Sequence, residues 1–98
     1  MVRVQVAPAS EASAELLAAF HHLIPQLSSS SVPISANQLA EMIAAESTTV
    51  FVATRAQEIV GLLTLVVFRI PTGMRAWIED VVVDESARGA GVGESLNR

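Results

Sequence analysis

The chain of 98 residues contains no cysteine, no lysine and no tyrosine. Without cysteine there can be no disulfide framework, no thiolate metal site and no cysteine nucleophile. Every cation is an arginine, the net charge is −4, and no block of like charges occurs. Nucleic-acid binding needs clustered Lys and Arg to neutralise phosphates. This composition therefore argues against a nucleic-acid partner.

Long apolar runs are also missing. No run reaches the ~18 apolar residues that would indicate a membrane span. The N-terminal stretch MVRVQVAPASEAS lacks the apolar region of a signal peptide. We therefore expect a cytoplasmic protein without a membrane partner. We also expect no metal site, because the chain has no H-x-x-x-H spacing.

What is present is the composition of a folded domain. Apolar residues make up 51% of the chain and charged residues only 16%, which excludes a disordered protein. At this length we expect one small domain over residues 1–98.

The first half of the chain predicts a strand and a helix. VRVQVA (2–7) alternates polar and apolar residues as a strand does, and Pro8 ends it. Ser10 is a candidate N-cap. Apolar residues then recur at helical spacing from Leu16 to Leu27, and Pro25 is expected to kink or end the helix.

A second helix and three strands follow. Ser35 and Gln38 fit a capping box and predict a short helix ending near Glu46. Three β-branched, apolar runs, 48–55, 58–70 and 75–83, are separated by short breaks and predict an antiparallel meander. The fold class is therefore α+β, with helices packed on a mostly antiparallel sheet.

Three alternating glycines after the last strand indicate a phosphate-binding loop, because glycine lets backbone N–H groups approach an anion closely. A Walker A loop needs a lysine, which this chain lacks. The dinucleotide fingerprint G-x-G-x-x-G also fails, since Glu94 stands where the third glycine should be. The generic spacing leaves open another nucleotide-binding fold, which would have parallel strands.

The stretch Arg88-Gly89-Ala90-Gly91-Val92-Gly93 matches the pattern [QR]-x-x-G-x-[GA] and resembles the acyl-CoA-binding motif of the GCN5-related N-acetyltransferase (GNAT) family. The order strand, two helices, three strands, loop and helix is also similar to the first part of that fold, and EIVGLLTL looks like its third strand. The resemblance implies transfer of an acetyl group from acetyl-CoA to an amine of a small molecule or peptide.

The resemblance also implies a set of acetyl-CoA-binding residues. Backbone groups of the last strand would pair with the pantetheine arm and polarise the thioester carbonyl, and the loop and the start of the next helix would hold the pyrophosphate. These residues are Val81, Val82, Val83, Arg88, Gly89, Ala90, Gly91, Val92, Gly93 and Glu94.

Glu79 and Asp80 are the candidate catalytic residues. Two acids inside an apolar strand are locally costly, and amine acetylation needs a base, because an ammonium cannot attack a thioester. WIEDVVV is similar to a stretch of glucosamine-6-phosphate acetyltransferases in which these acids lie beside the acceptor. Glu79 is the expected base or water-orienting residue and Asp80 the second candidate. Strict alternation points them to opposite faces unless a β-bulge resets the phase.

Relative to the family pattern, the chain looks like the N-terminal part of a domain whose C-terminal half is absent. That half would supply the rest of the CoA groove and a tyrosine acid for the leaving thiolate. Two outcomes stay open: an acetyltransferase, or an incomplete module that only binds CoA or self-associates. Strand 75–83 would then be an open edge, which predicts a homodimer. His21 and His22 are further candidates for an acceptor site.

Overall fold

The computed structural model describes residues 4–87. In this part of the chain two helices and four strands follow one another in the order β1 (Val4–Pro8), α1 (Ala14–Leu27), α2 (Ala36–Ala44), β2 (Thr48–Arg55), β3 (Glu58–Ile70) and β4 (Gly73–Val83). A 3₁₀ turn, Glu85–Ala87, comes after β4. The order strand, two helices and three strands is the predicted one.

The four strands form one sheet in the order β1-β2-β3-β4, and every neighbouring pair is antiparallel. The α+β prediction is therefore confirmed. The parallel strand order of the alternative nucleotide-binding fold does not occur among residues 4–87.

One face of the sheet carries both helices, with α1 over β3 and β4 and α2 over β2. Their apolar stripes bury a core against this face, which consists of Leu16, Phe20, Leu23, Leu39, Val50, Leu62 and Val82. A second cluster, around Ala53, Val60, Leu63 and Ala87, includes Val4 and Val6 of β1. The 3₁₀ turn thus packs back on the sheet through Ala87 and fixes how the chain leaves β4.

One predicted helix boundary is wrong, and another differs from the structure by two residues. The N-cap is Ser13, whose hydroxyl accepts the Leu16 N–H at 3.1 Å, and not Ser10. Ala9 N–H still bonds to the carbonyl of Val50 at 2.7 Å, so the chain has only just left the sheet at Ser10. The second helix ends at Ala44 rather than near Glu46.

Pro25 does not end α1, which continues to Leu27. Only the last two residues of the helix follow the proline, so the lost backbone bond affects a single turn. Ser28 N–H still bonds to the carbonyl of Ile24 at 2.9 Å and closes that turn. The capping box of Ser35 and Gln38 is confirmed, with both reciprocal bonds present.

Two tight hairpin loops join the last three strands. Arg55 pairs with Glu58 and Ile70 pairs with Gly73, so each loop has two residues between the paired positions. Ala56 and Gln57 both have positive φ, of 53° and 69°, which is the backbone of a type I′ turn. Since neither residue is glycine, this loop is strained relative to an Asn-Gly turn.

Candidate functional site

A β-bulge in β4 is the centre of the candidate site. Leu62 pairs with Val82 and Thr64 pairs with Glu79, so Asp80 and Val81 together stand opposite the single residue Leu63. Asp80 has a φ of 51°, the left-handed conformation usual for the first residue of one bulge type, where glycine is preferred. The bulge interrupts the strict alternation of β4 at the two candidate acids.

Asp80 lines a cavity of about 250 Å³ between α1, α2, the segment that joins them, and β4. The α1 side chains in its wall are those of Phe20, His21, Ile24 and Pro25. The joining segment contributes Ser31, Val32, Pro33 and Ile34, and α2 contributes Met42. Among the described residues of the wall Asp80 is the one acid, and most of the others are apolar.

Glu79 directly precedes Asp80 in the sequence but is not among the residues that line the cavity. Its Cα is paired with that of Thr64, on the face that carries the helices. The indole N–H of Trp77 donates a hydrogen bond to Oε1 of Glu79, which fixes one oxygen of the carboxylate. Glu79 and Trp77 therefore share a face, as the alternation predicts for two residues on the same side of the bulge.

His21, one of the two candidate histidines, shapes the cavity wall. Its Nε2 lies 2.7 Å from the carbonyl oxygen of Ile34. A carbonyl can only accept, so Nε2 carries the hydrogen and donates it. This bond joins α1 to the segment between the helices.

His22, the other histidine, lies in a different cluster. Its Nε2 is 3.2 Å from Oδ2 of Asp84. Gln26 donates from Nε2 to Oδ1 of Asp84 at 3.3 Å, and its Oε1 accepts the N–H of Glu85 at 3.0 Å. The end of α1 is thereby tied to the turn that leads out of β4. Neither this cluster nor the bulge in its exact register was predictable from residue types alone.

The pKa of the Asp84 carboxyl is lowered in this cluster. Burial by itself raises the pKa of the Asp84 carboxyl, but hydrogen bonds from Gln26, from the Ser86 N–H and from His22, with the charge of His22, outweigh it. The pKa of Asp84 therefore lies below its ordinary value, and the carboxylate form is favoured in the folded protein.

The valines predicted to bind acetyl-CoA lie at the end of β4. Val82 is 4% exposed in the helix-side core, while Val81 and Val83 pack against the second cluster. Their side chains are thus used in packing. The predicted loop residues Arg88, Gly89, Ala90, Gly91, Val92, Gly93 and Glu94 lie outside the described residues.

No helix in the described part of the chain is long and apolar enough to cross a membrane. Residues 4–87 also contain no group of three His, Cys, Asp or Glu side chains arranged to hold a metal ion.

Comparison with known proteins identifies the family. The family model described as "Acetyltransferase (GNAT) family" matches residues 15–97. No curated protein matches significantly. Among solved structures, an aminoglycoside acetyltransferase from an uncultured soil metagenomic sample, in complex with sisomicin, is 21% identical, with a TM-score of 0.83 over 96% of this chain and 64% of that one.

Two further solved structures share the fold. An acetyltransferase of Trypanosoma brucei is 28% identical, with a TM-score of 0.72 over 97% of this chain and 70% of that one. The GCN5-related glucosamine N-acetyltransferase region of a fungal multi-domain GH3 beta-N-acetylglucosaminidase is 17% identical, with a TM-score of 0.77 over 99% of this chain and 12% of that one. The chain spans 64% of the soil-sample enzyme.

Proposed function

The chain belongs to the GNAT family of acetyltransferases, and on this premise we propose that it transfers the acetyl group of acetyl-CoA to a primary amine of a small molecule or peptide. The observation that carries the proposal is the position of Asp80. Its backbone forms the bulge that precedes residues 81–83, and its side chain lines a cavity walled by the two helices. An acid and a strand edge suited to thioester binding are thus neighbours.

The end of β4 suits an extended acyl arm. Among residues 4–87, β4 is the last strand of the sheet and pairs only with β3. An extended ligand pairs with the backbone of such an edge while side chains serve other purposes, and those of Val81 and Val82 are used in packing. When bound, acetyl-CoA supplies the acetyl thioester, whose C–S bond is exchanged for the C–N bond of the product and whose sulfur leaves as a thiol.

The two acids have separate proposed roles. Asp80 accepts a hydrogen bond from the ammonium of the acceptor in the cavity and so positions it. Glu79 takes the proton of that ammonium, directly or through a water, so that the free amine attacks the carbonyl carbon. A backbone N–H group at the end of β4 stabilises the developing oxyanion. Residues 88–94 are proposed to hold the pyrophosphate.

This division of roles predicts different kinetics for two isosteric variants. Asp80→Asn should raise the KM for the amine more than it lowers kcat. Glu79→Gln should lower kcat by about 10²-fold or more and remove the ascending limb of the pH–rate profile. A Glu79→Gln profile identical to that of the wild type would refute Glu79 as the base.

Acetyl-CoA binding is tested by calorimetric titration of the 98-residue chain, with product detection by mass spectrometry over a panel of amines. We expect binding, one free thiol for each acetyl group transferred, and no transfer without the protein. Tight acetyl-CoA binding with no acetylation of any amine class would favour the alternative function of an incomplete, CoA-binding module.

Self-association is the second part of that alternative, and β4 supports it. Met74, Trp77 and Ile78 are all about half exposed, and they lie on both faces of a strand that pairs only with β3 among residues 4–87. We propose that two copies pair along β4 to form a homodimer, because an open apolar edge is a template for strand pairing.

Sedimentation velocity over a range of concentrations tests the dimer. Ile78→Lys places a charge among the exposed apolar side chains of β4. The variant should therefore be monomeric where the wild type is a dimer. Thr72→Lys, at the tip of the hairpin, is the matched control and should leave the dimer intact. A wild-type chain that stays monomeric throughout would refute pairing along β4.

A further inference from the structure

The cavity beside Asp80 has a composition that identifies the kind of amine it accepts. We infer that it binds a primary amine carried on a compact apolar body, with the ammonium on the Asp80 carboxylate. The inference rests on the proposed function, since it names the substrate class of the same site. It also makes a binding prediction that does not depend on acetyl transfer.

Most of the residues that line the described wall of the cavity are apolar. Phe20, Ile24 and Met42 come from the helices, and Val32, Pro33 and Ile34 from the segment between them. A ligand that fills this space loses the hydration of its surface, which is favourable for hydrocarbon and unfavourable for hydroxyl groups without partners. The wall therefore favours a hydrocarbon body over a sugar ring.

One of the three polar side chains in the described wall is committed to the protein itself. His21 donates its Nε2–H to the carbonyl of Ile34, so this donor is not available to a ligand hydroxyl. Ser31 and Asp80 are the other polar side chains of the wall. One carboxylate matches one ammonium, since a charge-assisted hydrogen bond is stronger than a neutral one.

The charge of the described wall disfavours two other classes of amine. No arginine is among the lining residues within the described range 4–87, so the phosphate of a phosphorylated amino sugar would meet no cation from this range and would face Asp80. A polyamino sugar brings several ammonium groups, of which only one could be paired with a carboxylate of this part of the wall. Each unpaired charge taken out of water opposes binding.

The size of the cavity agrees with its chemistry. A volume of about 250 Å³ lies between the ~150 Å³ of an apolar cavity that holds benzene and the ~300 Å³ at which pockets for drug-sized ligands begin. One aromatic ring or a short branched alkyl chain fits this space. A compound of several sugar rings would extend beyond it.

The bond between His21 and Ile34 gives the wall its shape. It anchors the segment that presents Val32, whose side chain is 89% exposed, at the cavity. An exposed apolar residue held at the mouth of an apolar cavity gains contacts when a ligand enters. Val32 is therefore a specificity residue that can be changed without disturbing the core.

The test is an NMR titration of the 98-residue chain with 2-phenylethylamine, 2-phenylethanol, glucosamine 6-phosphate and sisomicin, without acetyl-CoA. We expect 2-phenylethylamine to shift the backbone signals of His21, Ile34 and Asp80. The alcohol has the same body without the ammonium and should bind about tenfold more weakly. The two sugars should not shift these signals at the same concentration.

Two variants separate the parts of the cavity. Asp80→Asn should weaken 2-phenylethylamine binding about tenfold and leave 2-phenylethanol unchanged, while Val32→Ser should weaken both about threefold. Glu46→Gln removes an exposed acid that is not in the wall and is the matched control, with no expected effect. Asp80→Asn retaining wild-type amine affinity would overturn the proposed contact.

Failure of this inference can be told apart from failure of the proposed function. Binding of sisomicin or glucosamine 6-phosphate at the cavity as tightly as 2-phenylethylamine, or no shift with either phenyl compound, would overturn the substrate class. If such a protein still acetylated an amino sugar, the acetyltransferase function would stand. Binding of 2-phenylethylamine at Asp80 without any acetylation would contradict only the function.

Discussion

A hydrogen bond between Gln26 and Asp84 links the end of α1 to the turn after β4. Nε2 of Gln26 donates to Oδ1 of Asp84 at 3.3 Å, and its Oε1 accepts the N–H of Glu85 at 3.0 Å. One side chain thus holds both a carboxylate and a backbone group of the segment that leads toward the glycine-rich stretch. These bonds therefore connect α1, which lines the cavity, to the segment that follows β4.

Removing the two hydrogen bonds of Gln26 should lower the stability of the protein. Gln26→Ala deletes a partly buried hydrogen bond to the Asp84 carboxylate, worth about 1 kcal/mol, and an exposed one from the Glu85 N–H, worth less. We therefore expect a loss of about 1–1.5 kcal/mol in the free energy of unfolding in urea. Gln5→Ala, on an exposed position of β1, is the control and should change it by less than about 0.5 kcal/mol. Equal effects of the two variants would mean that the hydrogen bonds of Gln26 contribute nothing to the free energy of unfolding.

The lowered pKa of Asp84 predicts an acid-dependent loss of stability. Because the folded-state pKa lies below the unfolded one, the contribution is fully present above the ordinary Asp pKa of about 3.9 and is lost as the pH falls through the folded value. Asp84→Asn should remove this part of the dependence. Urea unfolding of both proteins between pH 7 and pH 3 measures it, and parallel curves would contradict the account.

The left-handed conformation of Asp80 predicts an unusual order of stability among its variants. At a φ of 51° a Cβ costs about 1 kcal/mol that glycine does not incur, so Asp80→Gly should be more stable than Asp80→Ala. In a domain of this size 1 kcal/mol corresponds to about 4–8 °C in Tm. Both variants should lose 2-phenylethylamine binding. An alanine variant with the higher Tm would argue against the bulge.

The strained loop between β2 and β3 offers a stabilising substitution. Ala56 and Gln57 occupy positive φ, where Asn and Gly are preferred in a type I′ turn. Replacing the pair by Asn-Gly should raise the free energy of unfolding by about 1–2 kcal/mol. The single variant Gln57→Gly should give part of this gain. No gain in either thermal unfolding experiment would refute the turn assignment.

The fold was largely predictable because its signals are local. The Ser35–Gln38 capping box predicts a helix start, and the β-branched runs 48–55 and 58–70 predict strands, each from a short stretch of sequence. The errors arose where contacts between distant residues set the end of an element. Ser10 and Ser13 are equivalent as caps by type, and the bond of Ala9 to Val50 selects the later one. Pro25 is tolerated because it lies in the last turn of the helix, where only two residues follow it.

The candidate site was predictable in its residues but not in its geometry. Glu79 and Asp80 are conspicuous as acids in an apolar strand, yet only the register of β4 against β3 reveals the bulge. The cavity wall combines α1, α2 and their connection with β4, and no spacing in the sequence relates these segments. The pairing of Gln26 with Asp84 spans 58 residues and had no sequence signal that we could identify.

The most direct test of the proposed function is the acetylation of 2-phenylethylamine by the wild-type protein and by Asp80→Asn and Glu79→Gln, with N-acetyl product and free thiol measured in the same reaction. We predict product and thiol in equal amounts for the wild type, a raised amine KM for Asp80→Asn and a lowered kcat for Glu79→Gln. Wild-type rates in both variants, or no product from a protein that binds both substrates, would contradict it.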